Sequence, residues 1–143
     1  MFVGPNALKS QNTNTPETGL KDEIYSKCVQ VLESENPDSI KNYFHLFKQY
    51  KIAETGDTSF KNLPNLYFKA GKIMAEASQK KETVEFYYEA ALLYTSYYGE
   101  GVPLASISLR EIGDYLFDVK EFKNAINYYQ VVAENNSNSF DFS

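Results

Sequence analysis

Leu66-Tyr67-Phe68-Lys69-Ala70-Gly71-Lys72-Ile73-Met74, followed after a polar break by Val84-Glu85-Phe86-Tyr87-Tyr88-Glu89-Ala90-Ala91, is written a second time further along the chain. The second copy is Ile107-Ser108-Leu109-Arg110-Glu111-Ile112-Gly113-Asp114-Tyr115-Leu116, then Asp118-Val119-Lys120-Glu121-Phe122, then Ala125-Ile126-Asn127-Tyr128-Tyr129. In each, a large apolar residue stands four before a glycine (Tyr67 and Gly71; Leu109 and Gly113) and another three after it (Met74; Leu116). An aromatic follows sixteen after the glycine, Tyr87 in one copy and Tyr129 in the other. Gly71 and Gly113 are 42 apart, within the period range of helical solenoids. Each copy reads as two helices joined by a short turn, and chains built this way bind more often than they catalyse.

Working outward, helical spacing of apolar residues gives six segments. The first carries Leu20, Ile24, Cys28, Val31 and Leu32, and Asn36-Pro37 caps the second, which buries Ile40, Tyr43, Phe44 and Phe47 and runs to about Glu54. The third starts near Pro64 and the fourth near Glu82; Gly99-Glu100-Gly101 ends the fourth, Pro103 opens the fifth, and the sixth runs from about Lys120 to Glu134. No segment alternates in the manner of a strand. The expectation is an all-α chain of three antiparallel helix pairs, because the connections after the first, third and fifth helices are short. Stacked, the pairs form a short right-handed superhelix in which each buries the face its neighbour cannot cover alone. Ala70, Gly71, Gly113 and Ala125 are small where backbones are expected to approach closely. Residues 1–19 and 136–143, poor in apolar anchors, are expected as flexible tails on either side of a helical domain spanning 20–135.

Composition narrows the function classes. The 143 residues suit one domain; the net charge of −5 and the single Arg110 speak against nucleic-acid binding. Nothing reaches the roughly 18 apolar residues of a membrane span, so no direct membrane insertion is expected. Cys28, alone, forms no internal disulfide and suits a reducing, cytoplasmic setting. His45 has no second His or Cys at a ligand spacing, and Glu82, Glu85 and Glu89 share one helix face as a solvated charge run. Neither catalytic residues nor a metal or cofactor site are expected.

The second copy resembles a tetratricopeptide repeat, with Leu109, Ile112-Gly113, Leu116, Ala125 and Tyr129 at that motif's spacing. The first is similar through Tyr67, Ala70-Gly71, Tyr87 and Ala90, with Thr83 where the family has a small alanine. The lengthened repeat resembles those of kinesin light chains and of soluble NSF attachment proteins (SNAPs), in particular the γ-type. The resemblance implies a non-catalytic protein-binding module, an adaptor in vesicle trafficking being its more specific form. It also implies that the first helix of each pair lines a concave groove. That selects Asn65, Phe68, Lys69, Lys72 and Glu76, then Arg110, Glu111, Asp114 and Phe117, as residues meeting a peptide or helix of another protein. The tyrosine doublets give a second candidate surface at Tyr88, Tyr97 and Tyr128, suited to partner contact. The rival reading is structural: a homo-oligomer that self-associates through aromatic helix faces.

Overall fold

The computed structural model describes the backbone of residues 16–49 and 60–139, and the side chains of residues 19–49 and 60–135. The described residues form six α-helices and no strand: α1 (Pro16–Ser34), α2 (Pro37–Gln49), α3 (Leu63–Glu76), α4 (Lys80–Tyr98), α5 (Pro103–Asp118) and α6 (Phe122–Ser139). They fall into two compact units. One contains α1 packed on α2; in the other, α3 packs on α4, α4 on α5 and α5 on α6.

The pairs close by closely related turns. Each first helix ends with a non-glycine residue in the left-handed region: Glu35 at φ 54°, Ser78 at φ 58° and Lys120 at φ 69°. In the second and third turns this residue completes a Schellman cap. Ser78 N–H donates to Ala75 O (3.1 Å) and Gln79 N–H to Met74 O (2.9 Å), and Lys120 to Phe117 O (3.0 Å) with Glu121 to Leu116 O (2.8 Å). In the first turn Glu35 N–H makes the corresponding bond to Leu32 O (3.2 Å), but Asn36 N–H donates to Ser34 Oγ (3.3 Å) instead. The following helices open alike, with Ile40 donating to Asn36 O, Thr83 to Gln79 O and Ala125 to Glu121 O. A side chain in the left-handed region costs about 1–2 kcal/mol. Ser78→Gly and Lys120→Gly are therefore each expected to gain up to about 1 kcal/mol in chemical denaturation; a loss would mean that the side chain contributes something the cap geometry does not explain.

The turns set a register that runs through every pair at offsets of 43 and 42 residues. Ile24, Tyr67 and Leu109 correspond, as do Ile40, Thr83 and Ala125, and all six are buried. Cys28 occupies the place of Gly71 and Gly113, and Phe44 that of Tyr87 and Tyr129. Thr83 stays satisfied in the core because its hydroxyl donates to Gln79 O at 2.7 Å. The two glycines do make close approaches, though it is a ring and not a backbone that comes near. A Cβ on Gly71 would lie 2.9 Å from the Tyr87 ring, and one on Gly113 would lie 2.7 Å from that of Tyr129.

Several boundaries differ from the sequence expectation. The first helix begins at Pro16, inside the stretch expected as tail, proline's fixed φ suiting a first helical position. The last begins at Phe122 rather than Lys120, whose left-handed backbone belongs to the turn, and continues to Ser139, since 135–139 contain neither Gly nor Pro to stop it. The expected tails at 1–15 and 140–143, and the end of the second helix at Glu54, lie outside the described residues.

Candidate functional site

Asn65, Lys69, Lys72 and Glu76 recur at spacings of four, three and four on α3, and all are exposed. They form one polar stripe along the helix. Asn65 is partly committed within it: its Oδ1 accepts the Tyr94 hydroxyl (2.5 Å) and its Nδ2 donates to Asn62 Oδ1 (2.7 Å). The Tyr94 bond pins the start of α3 to α4, and Tyr98 adds another through Lys61 O at 2.9 Å. Phe68 does not share the stripe. It is half-buried, its ring packed edge-on against Tyr87 with centroids 5.2 Å apart, so it contributes to the core more than to a groove. Its sequence position gave helical spacing but could not show that a neighbouring aromatic would take it.

On α5, Arg110, Asp114 and Phe117 are exposed and Glu111 is half-buried. Asp114 Oδ1 accepts the Tyr129 hydroxyl of α6 at 2.6 Å, and the Phe117 ring meets Phe122 edge-on at 5.0 Å. Both first helices pack on Tyr87 of α4. Tyr87 and Ala91 of α4 share a buried cluster with Leu109, Ile112 and Leu116 of α5, and Phe68 of α3 packs against it. Burial pushes the Tyr87 hydroxyl pKa well above the ordinary tyrosine range, and the carboxylates of Glu111 on α5 and Glu76 on α3 raise it further. Three exposed cations, Lys69, Lys72 and Arg110, enter no ion pair among the described residues.

The Asp114–Tyr129 bond has a measurable consequence. That hydrogen bond, with burial secondary, pushes the Tyr129 pKa up to about 12. The neutral phenol is the form the folded chain favours. Its contribution is complete below the usual tyrosine value of about 10 and is lost as pH rises through about 12. In a tyrosinate absorbance titration, Asp114→Ala, which removes the acceptor, is expected to return one late-ionising tyrosine towards the ordinary range. An unchanged profile would show that the bond is not formed in solution.

Of the three tyrosines offered as an alternative surface, Tyr88 is 46% exposed while Tyr97 and Tyr128 are half-buried. Tyr88 on α4 and Tyr128 on α6 lie near enough for one to raise the other's pKa, after burial of Tyr128. Beside Tyr128 opens a cavity of about 500 Å3 between α4 and α6, lined by Val84, Leu116, Asn124, Asn127 and Val131 and edged by the Lys80–Glu121 ion pair. Sequence reasoning missed this cavity. Lys80 and Glu121 are 41 residues apart, and no local spacing announces their meeting.

Elsewhere the chemistry is quiet. His45 is exposed, and burial pushes the Cys28 thiol up to about 12, far from a reactive thiolate. Among the described residues no group of three or more His, Cys, Asp or Glu side chains is placed to hold a metal ion, and no helix is long and apolar enough to cross a membrane. No protein-family model, curated protein or solved structure matches the chain.

Proposed function

We propose that the chain is a non-catalytic protein-binding module of tetratricopeptide-like construction, whose helix pairs stack as a short right-handed superhelix and whose α3 and α5 stripes receive a segment of a partner protein. The packing of Phe68 from α3 and of Leu109, Ile112 and Leu116 from α5 around Tyr87 carries the reading, because it brings two first helices together against one ring of α4. The 42-residue register and its turns support the repeat construction. Lys69, Lys72 and Arg110 suit acidic side chains flanking an apolar anchor, and exposed Asn and Lys suit an extended backbone. An adaptor role in vesicle trafficking, in the cytoplasm, is the specific form that the likeness to attachment proteins suggests.

The test is direct binding of the full chain to an array of acidic peptides, each with one aromatic anchor, alongside charge-reversed copies of the same peptides. Preferential binding of the acidic set, weakened by salt, is the expected result. Equal binding of both sets, or none, would refute the assignment of the site to these cations.

A further inference from the structure

On α6, Phe122, Ile126, Tyr129 and Ala133 recur at spacings of four, three and four and so share one face. That face is open: Phe122 is 48% and Ile126 53% exposed, and Ala133 is exposed too. Of the corresponding positions 42 residues earlier, Lys80 is exposed and the other three are packed. There Val84, Tyr87 and Ala91 of α4 pack against α5, through Leu109, Ile112 and Leu116. The register that accepts a helix on α4 is therefore repeated on α6, with nothing among the described residues occupying it.

The sequence of α6 is complementary to itself. Its only charged residues are Lys123 and Glu134, both exposed and eleven residues apart, which is about three turns on one flank of the apolar face. Laid antiparallel against a second α6 about a two-fold axis near residue 128, each Lys123 stands opposite the partner's Glu134. A parallel pairing would carry the two copies' Lys123 to opposite sides of the contact and leave neither Lys123 facing a Glu134. An axis one residue earlier, between 127 and 128, sets Phe122 opposite the partner's small Ala133 and Ile126 opposite the partner's Tyr129. Such a contact is isologous and closes as a dimer.

We propose that the chain pairs with a second copy of itself through this face of α6, antiparallel, with Lys123 and Glu134 fixing the direction. The inference goes beyond the peptide-binding reading and does not depend on it, since α6 variants leave the cations of α3 and α5 untouched. The experiment is sedimentation equilibrium of the full chain from low to high micromolar concentration, with circular dichroism to confirm folding of each variant. A concentration-dependent dimer is expected. Ile126→Asp, at a position already exposed, is expected to weaken it by about tenfold or more, since a desolvated carboxylate without a partner opposes association. Lys123→Glu and Glu134→Lys are each expected to weaken it several-fold, roughly, and the double exchange to restore it. A monomer at every concentration would overturn the proposal and assign the face to another protein's helix or to the chain beyond Ser139. So would a dimer indifferent to Ile126→Asp, or failure of the double exchange to rescue.

Discussion

Gly71→Ala is expected to destabilise the protein by about 1–3 kcal/mol, against the usual gain of about 1 kcal/mol when alanine replaces a glycine inside a helix. The reversal of sign comes from one ring. A Cβ at Gly71 would lie 2.9 Å from both Cγ and Cδ1 of Tyr87. The Cγ atom sits at the root of the side chain, so a small χ2 adjustment does not relieve the overlap. Nor can the ring leave, because Tyr87 is 3% exposed and Phe68 stands edge-on against it at 5.2 Å. Gly113→Ala meets a different situation. Its Cβ would lie 2.7 Å from Cε1 of Tyr129, nearer the far end of a half-buried ring that can swing outward at the cost of its bond to Asp114. Its loss is expected to be the smaller. Urea unfolding of both variants tests the order: Gly113→Ala more damaging than Gly71→Ala, or either variant stabilised, would mean that the rings do not sit against these glycines. A Tyr87→Leu background adds a second check, since the two changes should couple if ring and glycine touch.

The glycine and the aromatic sixteen residues beyond it were legible because both the small residue and the ring it accommodates are written in the sequence, twice. The first pair hid the same arrangement. Cys28 stands where the glycines do and Phe44 where the tyrosines do, so only the turn geometry at Glu35, Ser78 and Lys120 exposes the correspondence. Those turns carried no sequence signal, since glycine, the usual marker of a left-handed residue, is missing from all three. The repeat resemblance selected Asn65, Lys69, Lys72 and Glu76, which lie on one exposed face. It could not tell which polar groups would meet hydroxyls from a neighbouring helix, as Asn65 does with Tyr94 and Asp114 with Tyr129. That depends on side chains 29 and 15 residues apart. Phe68, selected with them, is half-buried with its ring edge-on to Tyr87, a contact that spacing along one helix does not reveal. The tyrosine doublets behaved similarly, with Tyr88 left exposed while Tyr97 and Tyr128 were drawn half under cover.

The double change Lys69→Glu with Lys72→Glu is expected to slow association with an acidic, aromatic-anchored peptide by about tenfold or more at low salt and to reverse the sign of the salt dependence. Both lysines are exposed and unpaired by any carboxylate among the described residues, so reversing them removes no ion pair from the fold. The loss is therefore expected in the association rate, with thermal unfolding little changed. Phe68→Ala separates the core from the surface. A half-buried ring packed edge-on against Tyr87 is expected to cost about 2 kcal/mol or more of stability when removed, so any weaker binding by that variant reports folding before contact. Phe117→Ala distinguishes little, because its ring meets Phe122 and borders the α6 face as well as α5. Charge at Lys69 and Lys72 is the cleaner probe. If peptide binding survives the double reversal with its rate and salt dependence intact, the α3 stripe is not the site. The cavity beside Tyr128, edged by Lys80 and Glu121, then becomes the place to look, since its cation lies on α4 and remains unaltered in that variant.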